Sequence, residues 1–139
     1  DPTVETVDWL DLPSAIAPWL SARRLRAGTR DERPFVAVTS WIDAGKAAYA
    51  LGDRADVVCL CDEPHHFAYL HDVRSYAARD AVIIERAEKR PRAPVTLARY
   101  FRLVEPIGST VVRRAGRPAI TLLLYRGEAL VPGASAGAR

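Results

Sequence analysis

Short hydrophobic runs in the middle of the chain predict buried β-strands. Phe35–Thr39, Val57–Cys61 and Ala81–Glu85 are each dominated by apolar residues, as is typical of strands covered on both faces. Between the first two runs the apolar positions follow helical spacing, with Ser40 placed to cap the helix and Gly52 to end it. A strand, a helix and a strand in this order predict a right-handed parallel crossover unit.

Segments on either side of this unit add further elements. Ile16, Trp19 and Leu20 recur at helical spacing and predict a helix that Pro18 starts or kinks. Beyond the third strand, the sequence predicts a short helix over Pro94–Phe101 and then a β-hairpin. The hairpin strands are predicted at Val111–Arg114 and Ala119–Tyr125, joined by Ala115–Pro118.

Parallel strands followed by an antiparallel hairpin predict the fold class α/β. We expect a three-layer Rossmann-like sandwich whose sheet is mostly parallel, with a C-terminal antiparallel hairpin. The 139 residues suit one domain, so we expect a single soluble α/β domain over residues 1–132 and a disordered, Gly- and Ala-rich tail over 133–139. The chain contains no Met and opens on Asp1-Pro2-Thr3, which indicates a domain excised from a larger membrane protein.

The formal net charge of +3 comes mostly from arginines, which are scattered along the sequence. Nucleic-acid binding requires basic residues clustered on one face, commonly with stacking aromatics, and no such cluster is visible. We therefore expect no nucleic-acid partner. Phosphates and lipid head groups stay open as anionic partners, although dispersed charge is normally just a solvated surface.

Two polar segments follow predicted strands and belong to the carboxyl edge of the sheet, where ligands of open α/β sheets bind. The first, Ser40–Lys46, invites comparison with a phosphate-binding loop, but Ser40 and Ala47 stand where that loop needs a glycine and a hydroxyl residue. Nucleotide-triphosphate binding is thereby rejected. The helix start can still bind one anionic group, while capping by Ser40 and Asp43 themselves is the favoured interpretation.

The second polar segment follows Val57–Cys61 and holds the densest set of metal-ligating or acid–base groups: Asp62, His65, His66, His71 and Asp72. Adjacent histidines usually point apart and no fourth ligand is evident, so a surface loop is favoured over a polar ligand-binding loop or a zinc site. No catalytic residue, metal or cofactor is predicted. The ligand-binding candidates are Ser40, Trp41, Asp43, Asp62, His65 and His66.

Five aromatic residues near the same edge could form an apolar or sugar-stacking surface: Trp41, Tyr49, Phe67, Tyr69 and Tyr76. Aromatics at helical spacing more often belong to the core. We expect two of the five to be partly exposed.

The two cysteines, Cys59 and Cys61, are separated by one residue in a strand-like run. Side chains at this spacing share one face of a strand, but regular strand geometry holds them too far apart to bond easily. We expect small buried apolar residues rather than a disulfide or a metal pair.

Three stretches of the chain form a familiar order: the opening Asp1-Pro2-Thr3 with Asp8-Trp9, the block FVAVTSWIDAGKAAYALGDRADVVCLCDEPHHFAYL, and the ending FRLVEPIGSTVVRRAGRPAITLLLYRGEAL. Tyr49-Ala50-Leu51-Gly52 leads from a helix into a strand, and Leu124-Tyr125-Arg126-Gly127 lies near the end. This order resembles the C-terminal extramembrane domain of bacterial glycosyltransferase family 39 proteins, relatives of protein O-mannosyltransferases and of the lipid A aminoarabinose transferase.

The resemblance implies an integral membrane enzyme that transfers a sugar from a polyprenyl-phosphate donor on the extracytoplasmic (periplasmic) side of the bacterial inner membrane. The family's catalytic acidic residues lie between early membrane helices that this chain lacks, so none is carried over and the isolated domain is expected to be inactive. The implied partners are the membrane-embedded part of the same chain, the polyprenyl-phosphate-linked sugar and anionic lipid head groups. The implied role is to help recognise or enclose the substrate.

Two alternatives to this interpretation stay open. One is a stand-alone Rossmann-like binding domain for a small anionic ligand. The other is a small soluble enzyme that works from Asp62, His65 and His66.

Overall fold

A computed structural model describes residues 8–22, 34–60, 76–89 and 93–131. They contain three α-helices, two 3-10 turns and five strands. The helices are α1 (Leu12–Ala22), α2 (Trp41–Leu51) and α3 (Ala93–Thr96), and the 3-10 turns are Gly52–Arg54 and Ala87–Lys89. The strands are β1 (Phe35–Val38), β2 (Val57–Cys59), β3 (Ala81–Arg86), β4 (Phe101–Arg114) and β5 (Arg117–Leu130).

The five strands form one mixed sheet in the order β2-β1-β3-β5-β4. β1 pairs in parallel with both β2 and β3, with Val38 opposite Cys59 on one side and Ile84 on the other. β5 runs antiparallel to β3, where Arg86 lies opposite Leu122, and β4 closes the sheet as an antiparallel edge strand. The sheet therefore joins a short parallel half to a long hairpin.

Local signals explain where α2 begins and ends. Ser40 has extended backbone angles, and its side chain accepts a hydrogen bond from the backbone N–H of Asp43, which satisfies one of the free donors of the first turn. Gly52 follows the helix at φ 56°, and its N–H donates to the carbonyl of Ala48. Glycine adopts this positive φ without steric cost. Both predicted boundary signals are confirmed.

The sheet separates two clusters of buried side chains. On one face α1 and α2 insert Leu12, Ile16 and Leu51 against the strands, together with the fully buried Val36 and Ile84. The opposite face is covered by Tyr76, Leu97 and Tyr100, which come from turn segments and pack on strand residues including Phe35 and Ile83. Among the described residues, both of the longer helices thus cover the same face.

The predicted fold class is wrong. A three-layer Rossmann-like sandwich needs helices on both faces and a mostly parallel sheet, but within the described ranges α1 and α2 share one face. The three parallel strands have 4, 3 and 6 residues, whereas β4 and β5 have 14 each. The long antiparallel hairpin, rather than the crossover unit, contributes most of the sheet.

The hairpin was predicted in the right place but far too short, and the predicted helix over Pro94–Phe101 is wrong beyond α3. Phe101 begins β4, which continues through Pro106 and Gly108 with a register irregularity between them. Proline and glycine argue against a central strand but are tolerated at bulges of an edge strand. The connection is also shorter than predicted, since only Ala115 and Gly116 separate the strands.

Two further predictions concern the two ends of the chain. α1 runs through Pro18 to Ala22, so the helix around Ile16 is confirmed. The tail over 133–139 lies outside the described residues. No helix in the described ranges is long and apolar enough to cross a membrane.

Candidate functional site: the carboxyl rim and the arginine tip

The carboxyl rim, which we define as the ends of β1 and β3 with the residues that follow them, lies at the point where the strand order reverses. β1 lies between β2 and β3, so the chain leaves its central parallel strand toward one side and later returns on the other. Ligands of open α/β sheets bind at such a switch point, outside the carboxyl ends of the strands. Ser40, Asp43 and Arg86 all belong to this rim.

Ser40 is committed to the start of α2. Its Oγ lies 3.2 Å from the backbone nitrogen of Asp43 and accepts its hydrogen bond, while its carbonyl accepts from the N–H of Ala44 at 3.0 Å. The interpretation favoured from the sequence, a helix capped by its own residues, is confirmed at this position. The hydroxyl of Ser40 therefore stabilises the start of the helix.

Asp43 forms a buried ion pair at the rim. Its Oδ1 lies 3.4 Å from Nε of Arg86, and the two side chains are only 4% and 2% exposed. Glu88 adds a second carboxylate, 3.5 Å from Nη1 of Arg86. Removing one partner of a buried pair leaves an uncompensated charge in a poorly solvated site, so this trio ties the start of α2 to the end of β3.

The remaining sequence candidates are not brought together by the described structure. Trp41 opens α2, but its side chain lies outside the description. Asp62, His65 and His66 also lie outside the described residues, as do His71, Asp72, Phe67 and Tyr69. Of the predicted site, the structure therefore unites Ser40 and Asp43.

The two remaining aromatics of the predicted stacking surface have opposite environments. Tyr49 is 73% exposed on α2, whereas Tyr76 is buried and packs against Phe35 with ring centroids 4.9 Å apart. The Tyr76 hydroxyl donates to Oδ2 of Asp56 at 3.0 Å. Burial raises the pKa of the Tyr76 phenol, and the hydrogen bond to Asp56 raises it further. Tyr76 is a core residue.

Cys59 corrects another expectation. It is fully buried in β2, as predicted, but it is disulfide-bonded rather than a free thiol. Cys61, the other cysteine of the chain, lies outside the described residues. Spacing alone argued against a disulfide because it assumed regular strand geometry, and β2 ends at Cys59.

A second feature of the same edge is the arginine tip, which we define as Arg113–Arg117. Its three arginines, Arg113, Arg114 and Arg117, are all exposed, and Arg114 lies directly opposite Arg117 across the strands. Like charges in directly opposed positions destabilise a hairpin. The sequence contains no Asp or Glu between Glu105 and Arg126, so any carboxylate that faces these arginines comes from outside the distal half of the hairpin.

The turn of the tip has the backbone of a tight two-residue connection. Ala115 and Gly116 both have positive φ, at 54° and 78°, as a type I′ turn requires. Glycine suits that conformation, whereas alanine does not adopt it readily. The tip thus carries a strained alanine in addition to its opposed arginines.

The hairpin reaches past the parallel strands on the side of the carboxyl rim. β3 ends at Arg86, opposite Leu122, while β5 already begins at Arg117. At ~3.4 Å per residue, the five residues Arg117–Thr121 extend roughly 17 Å beyond the end of β3. Ala87 and Glu88 with Val111 and Pro118–Thr121 border an open cavity of about 480 Å³ in this region.

The tip is fixed to the body of the protein. The backbone N–H of Arg113 donates to Oδ2 of Asp11 at 2.9 Å, and Val112 and Ile120 are buried in the same cluster as Leu12 of α1. Leu10, which precedes Asp11, is 71% exposed. The arginines are therefore held on a packed element, beside an exposed apolar residue.

Sequence reasoning missed both Arg86 and the arginine tip. Arg86 lies at the end of a strand run that was read as apolar, and its burial depends on Asp43, 43 positions earlier in the sequence. Arg113 and Arg114 were counted among scattered charges. The signal that was available is the pattern Arg-Arg-Ala-Gly-Arg, in which a Gly-containing turn brings three arginines together.

Metal binding receives no support from the described ranges, which hold no group of three or more His, Cys, Asp or Glu side chains able to share an ion.

Comparison with known proteins does not identify a family for this chain. The chain matches no family model, no curated protein and no solved structure.

Proposed function

We propose that this chain is a non-catalytic, extramembrane domain of an integral membrane glycosyltransferase that takes a sugar from a polyprenyl-phosphate donor. Its role is to help recognise or enclose the donor at the membrane surface, on the extracytoplasmic side of the bacterial inner membrane. The resemblance of the three sequence stretches names the enzyme class. The observation that carries the role is the arginine tip, which presents three exposed cations on a fixed, projecting element.

The chemistry of the tip fits phosphate. Arginine presents a planar set of donors that matches phosphate geometry and keeps its charge at all physiological pH values. Arg114 and Arg117 lie in opposed positions across the two strands, so one anion at the surface of the hairpin can contact both guanidinium groups. Phosphates of the donor and of lipid head groups lie in the same plane at the membrane surface, so one cationic tip serves both.

Two further observations support this proposal. The polar groups of the carboxyl rim are engaged internally, since Ser40 caps α2 and Asp43 pairs with Arg86; this favours a supporting role for the rim over chemistry there. The disulfide at Cys59 fits an extracytoplasmic location, because disulfides persist mainly in oxidising compartments.

The test uses the whole membrane protein that carries this domain, with sugar transfer from a polyprenyl-phosphate sugar as the readout. We expect the variant Arg113→Gln/Arg114→Gln/Arg117→Gln to raise the KM for the lipid-linked donor at least tenfold, since hydrogen bonds to charged groups contribute about 1.5–3 kcal/mol each. The kcat at saturating donor is expected to stay nearly unchanged, because the reacting groups lie elsewhere.

A charge-matched variant serves as the control: Arg54→Gln/Arg99→Gln/Arg102→Gln removes three exposed arginines far from the tip in sequence. If the two triple variants raised the KM equally, the arginine tip would act only through the net charge of the domain and not as a donor-binding element. Sugar transfer by the 139-residue chain alone would overturn the non-catalytic role, and a reading frame without membrane-spanning segments would overturn the enzyme class.

A further inference from the structure

We propose that the outward face of α2 is a contact surface between two copies of this chain, which pair around a two-fold axis into a closed dimer. This inference goes beyond the proposed function and does not depend on it. The partner is a second copy, rather than a lipid surface or a different protein. The surface, which we call the α2 face, consists of the exposed residues of the helix and of its end: Ile42, Gly45, Ala48, Tyr49 and Gly52.

The α2 face contains no charged side chain. Of the two charged residues in α2, Asp43 is buried against Arg86, and Lys46 is 21% exposed with its Nζ 3.6 Å from Oδ1 of Asp8. Helix α1, which contacts α2 on the same face of the sheet, has no charged residue at all. A surface helix normally has polar residues opposite its buried stripe, and a helix that is apolar all round is normally covered. Two copies can therefore meet here without bringing like charges together.

Gly45 is an exposed glycine in the middle of α2, and the protein's own packing does not require it. A Cβ at this position would meet no atom within 4 Å, and its φ is not among the positive ones. Glycine is nevertheless less favourable than alanine inside a helix. We infer that Gly45 leaves room for a side chain that comes from outside the molecule.

The arrangement of large and small residues on the α2 face is complementary to itself. A two-fold axis level with Ala47 places residues equally far before and after that position opposite each other in two antiparallel helices. Tyr49, which is 73% exposed, then lies opposite Gly45 of the second copy. Ile42, which is 37% exposed, lies opposite Gly52, where a Cβ would also meet no atom within 4 Å. Both large exposed side chains thus face a glycine.

This pairing is what selects a second copy as the partner. A two-fold interface uses the same patch on both molecules, so the patch must contain the projections and the recesses that receive them. A different protein or a bilayer would not require a projection and a recess at equal distances from one point of the helix. The pairing also closes on itself, because each copy uses its only α2 face and no further copy can add.

The available area suits a weak, reversible dimer. Tyr49 and Trp19, which is 39% exposed on the neighbouring α1, together expose roughly 200 Å² per copy, since a fully buried aromatic side chain removes about 150–250 Å². With Ile42, the small residues and the rim, two copies bury roughly 1,000 Å², near the lower limit of specific interfaces. We therefore expect dimers at protein concentrations of about 10–100 µM.

The experiment measures the mass of the 139-residue chain by sedimentation equilibrium over a range of concentrations. Gly45→Gln fills the recess, and Tyr49→Ala removes the projection; each change acts twice in a symmetric pair. We expect each variant to raise the dissociation constant of the dimer at least about tenfold. Gly45→Gln should also raise the midpoint of thermal unfolding of the dilute monomer, because Gln is a better helix former than Gly. A loss of association is then not a loss of folding.

A mixture of the two variants tests the register itself. In a mixed dimer, Tyr49 of the Gly45→Gln chain meets the intact Gly45 of the other chain, and the new Gln meets the new Ala. No filled recess then faces a tyrosine. We expect the mixture to associate with a dissociation constant within about fivefold of that of the parent protein, measured by titrating a fluorescently labelled variant with the other one.

Val95→Ala is the control for exposed apolar surface. Val95 is 79% exposed in α3, and the adjacent Leu97 packs on the opposite face of the sheet. The variant is expected to leave the dissociation constant unchanged, since scattered exposed apolar residues are normal on a protein surface.

Four outcomes overturn the proposed dimer. The first is a parent protein that stays monomeric up to about 1 mM, a limit that corresponds to very weak binding; binding of that monomer to phosphatidylcholine vesicles would assign the α2 face to a bilayer instead. The second is an equal loss in Val95→Ala and Tyr49→Ala. The third is a mixture that associates no more tightly than either variant alone, and the fourth is growth beyond two copies as the concentration rises.

Discussion

Arginines occur in two contrasting settings within the one sheet. The internal arginines, Arg86 and Arg126, face carboxylates: Arg86 lies between Asp43 and Glu88, and Arg126 lies between Asp80 and Glu105. The arginines of the tip instead face one another across the strands. The same residue type therefore joins strands and helices where it lies between carboxylates, and is exposed to solvent where it lies at the end of the hairpin.

The largest effect is expected at Arg86, the most deeply buried of these arginines. Arg86→Met should lower the free energy of unfolding by about 3–5 kcal/mol, because it leaves Asp43 charged in a buried site without its cation. Adding Asp43→Leu should recover most of the loss, since an apolar pair of similar volume replaces a buried ion pair at little cost. Urea denaturation of both variants measures the difference.

The exposed Arg54 offers a matched control for this comparison. Arg54→Met should change the free energy of unfolding by no more than about 0.5 kcal/mol, as is usual for surface substitutions. If Arg86→Met lowered the free energy of unfolding no more than Arg54→Met does, the buried ion pairs of Asp43, Arg86 and Glu88 would not stabilise the packing of α2 against β3.

An intermediate effect is expected at Arg126, which is only half-buried. Its Nη1 lies 3.1 Å from Glu105 and its Nη2 lies 3.5 Å from Asp80, with 29% of the side chain exposed. Arg126→Gln should cost about 1 kcal/mol, since partly solvated ion pairs contribute little. Asp80 also accepts the N–H of Ala129 and keeps that partner in the variant.

A double-mutant cycle with Glu105→Gln isolates the pair across the two hairpin strands. The expected coupling energy is about 0.2–1 kcal/mol, and it should shrink as salt is added. A coupling energy as large as the loss at Arg86 would erase the distinction between the buried and the half-buried arginine.

The smallest effect is expected at the turn between the tip arginines, and its sign is opposite. Ala115 has φ 54°, a conformation that costs an L-residue about 1–2 kcal/mol. Ala115→Gly removes that cost but adds about 0.4–1 kcal/mol of unfolded-chain entropy, so a net gain of about 0.5 kcal/mol is expected in thermal or urea denaturation.

Ala119→Gly provides the control for this variant, because Ala119 lies in β5 without a positive φ. It should destabilise the protein by about 0.5–1 kcal/mol, as glycine does inside a strand. Equal changes at the two positions would show that the turn imposes no strain on Ala115.

What the sequence predicted well depends on neighbours along the chain. The cap at Ser40, the glycine that ends α2 and the apolar runs of β1 to β3 are local signals, and each is present in the structure. The order of strands and the coverage of the faces depend on long-range packing, and here the Rossmann-like prediction failed. Two helices on one face cannot be told from helices on both faces by periodicity alone.

The candidate site shows the same division. That Ser40 and Asp43 belong to a helix start follows from their spacing, but the partner of Asp43 is Arg86, which no local pattern indicates. The arginine tip combines a readable turn with a register that places Arg114 opposite Arg117. That register depends on how far β4 extends. The first half of β4 was not predicted, because Pro106 and Gly108 argue against a strand.

The register irregularity between Pro106 and Gly108 also affects self-association of this protein at high concentration. β4 is the long outer strand of the sheet, and an uninterrupted strand of that length invites another chain to add to it, strand by strand. Proline contributes no amide proton to such an addition, and the bulge bends the strand away from a straight partner. Self-association into fibril-like stacks is thereby opposed by the backbone itself, without recourse to surface charge.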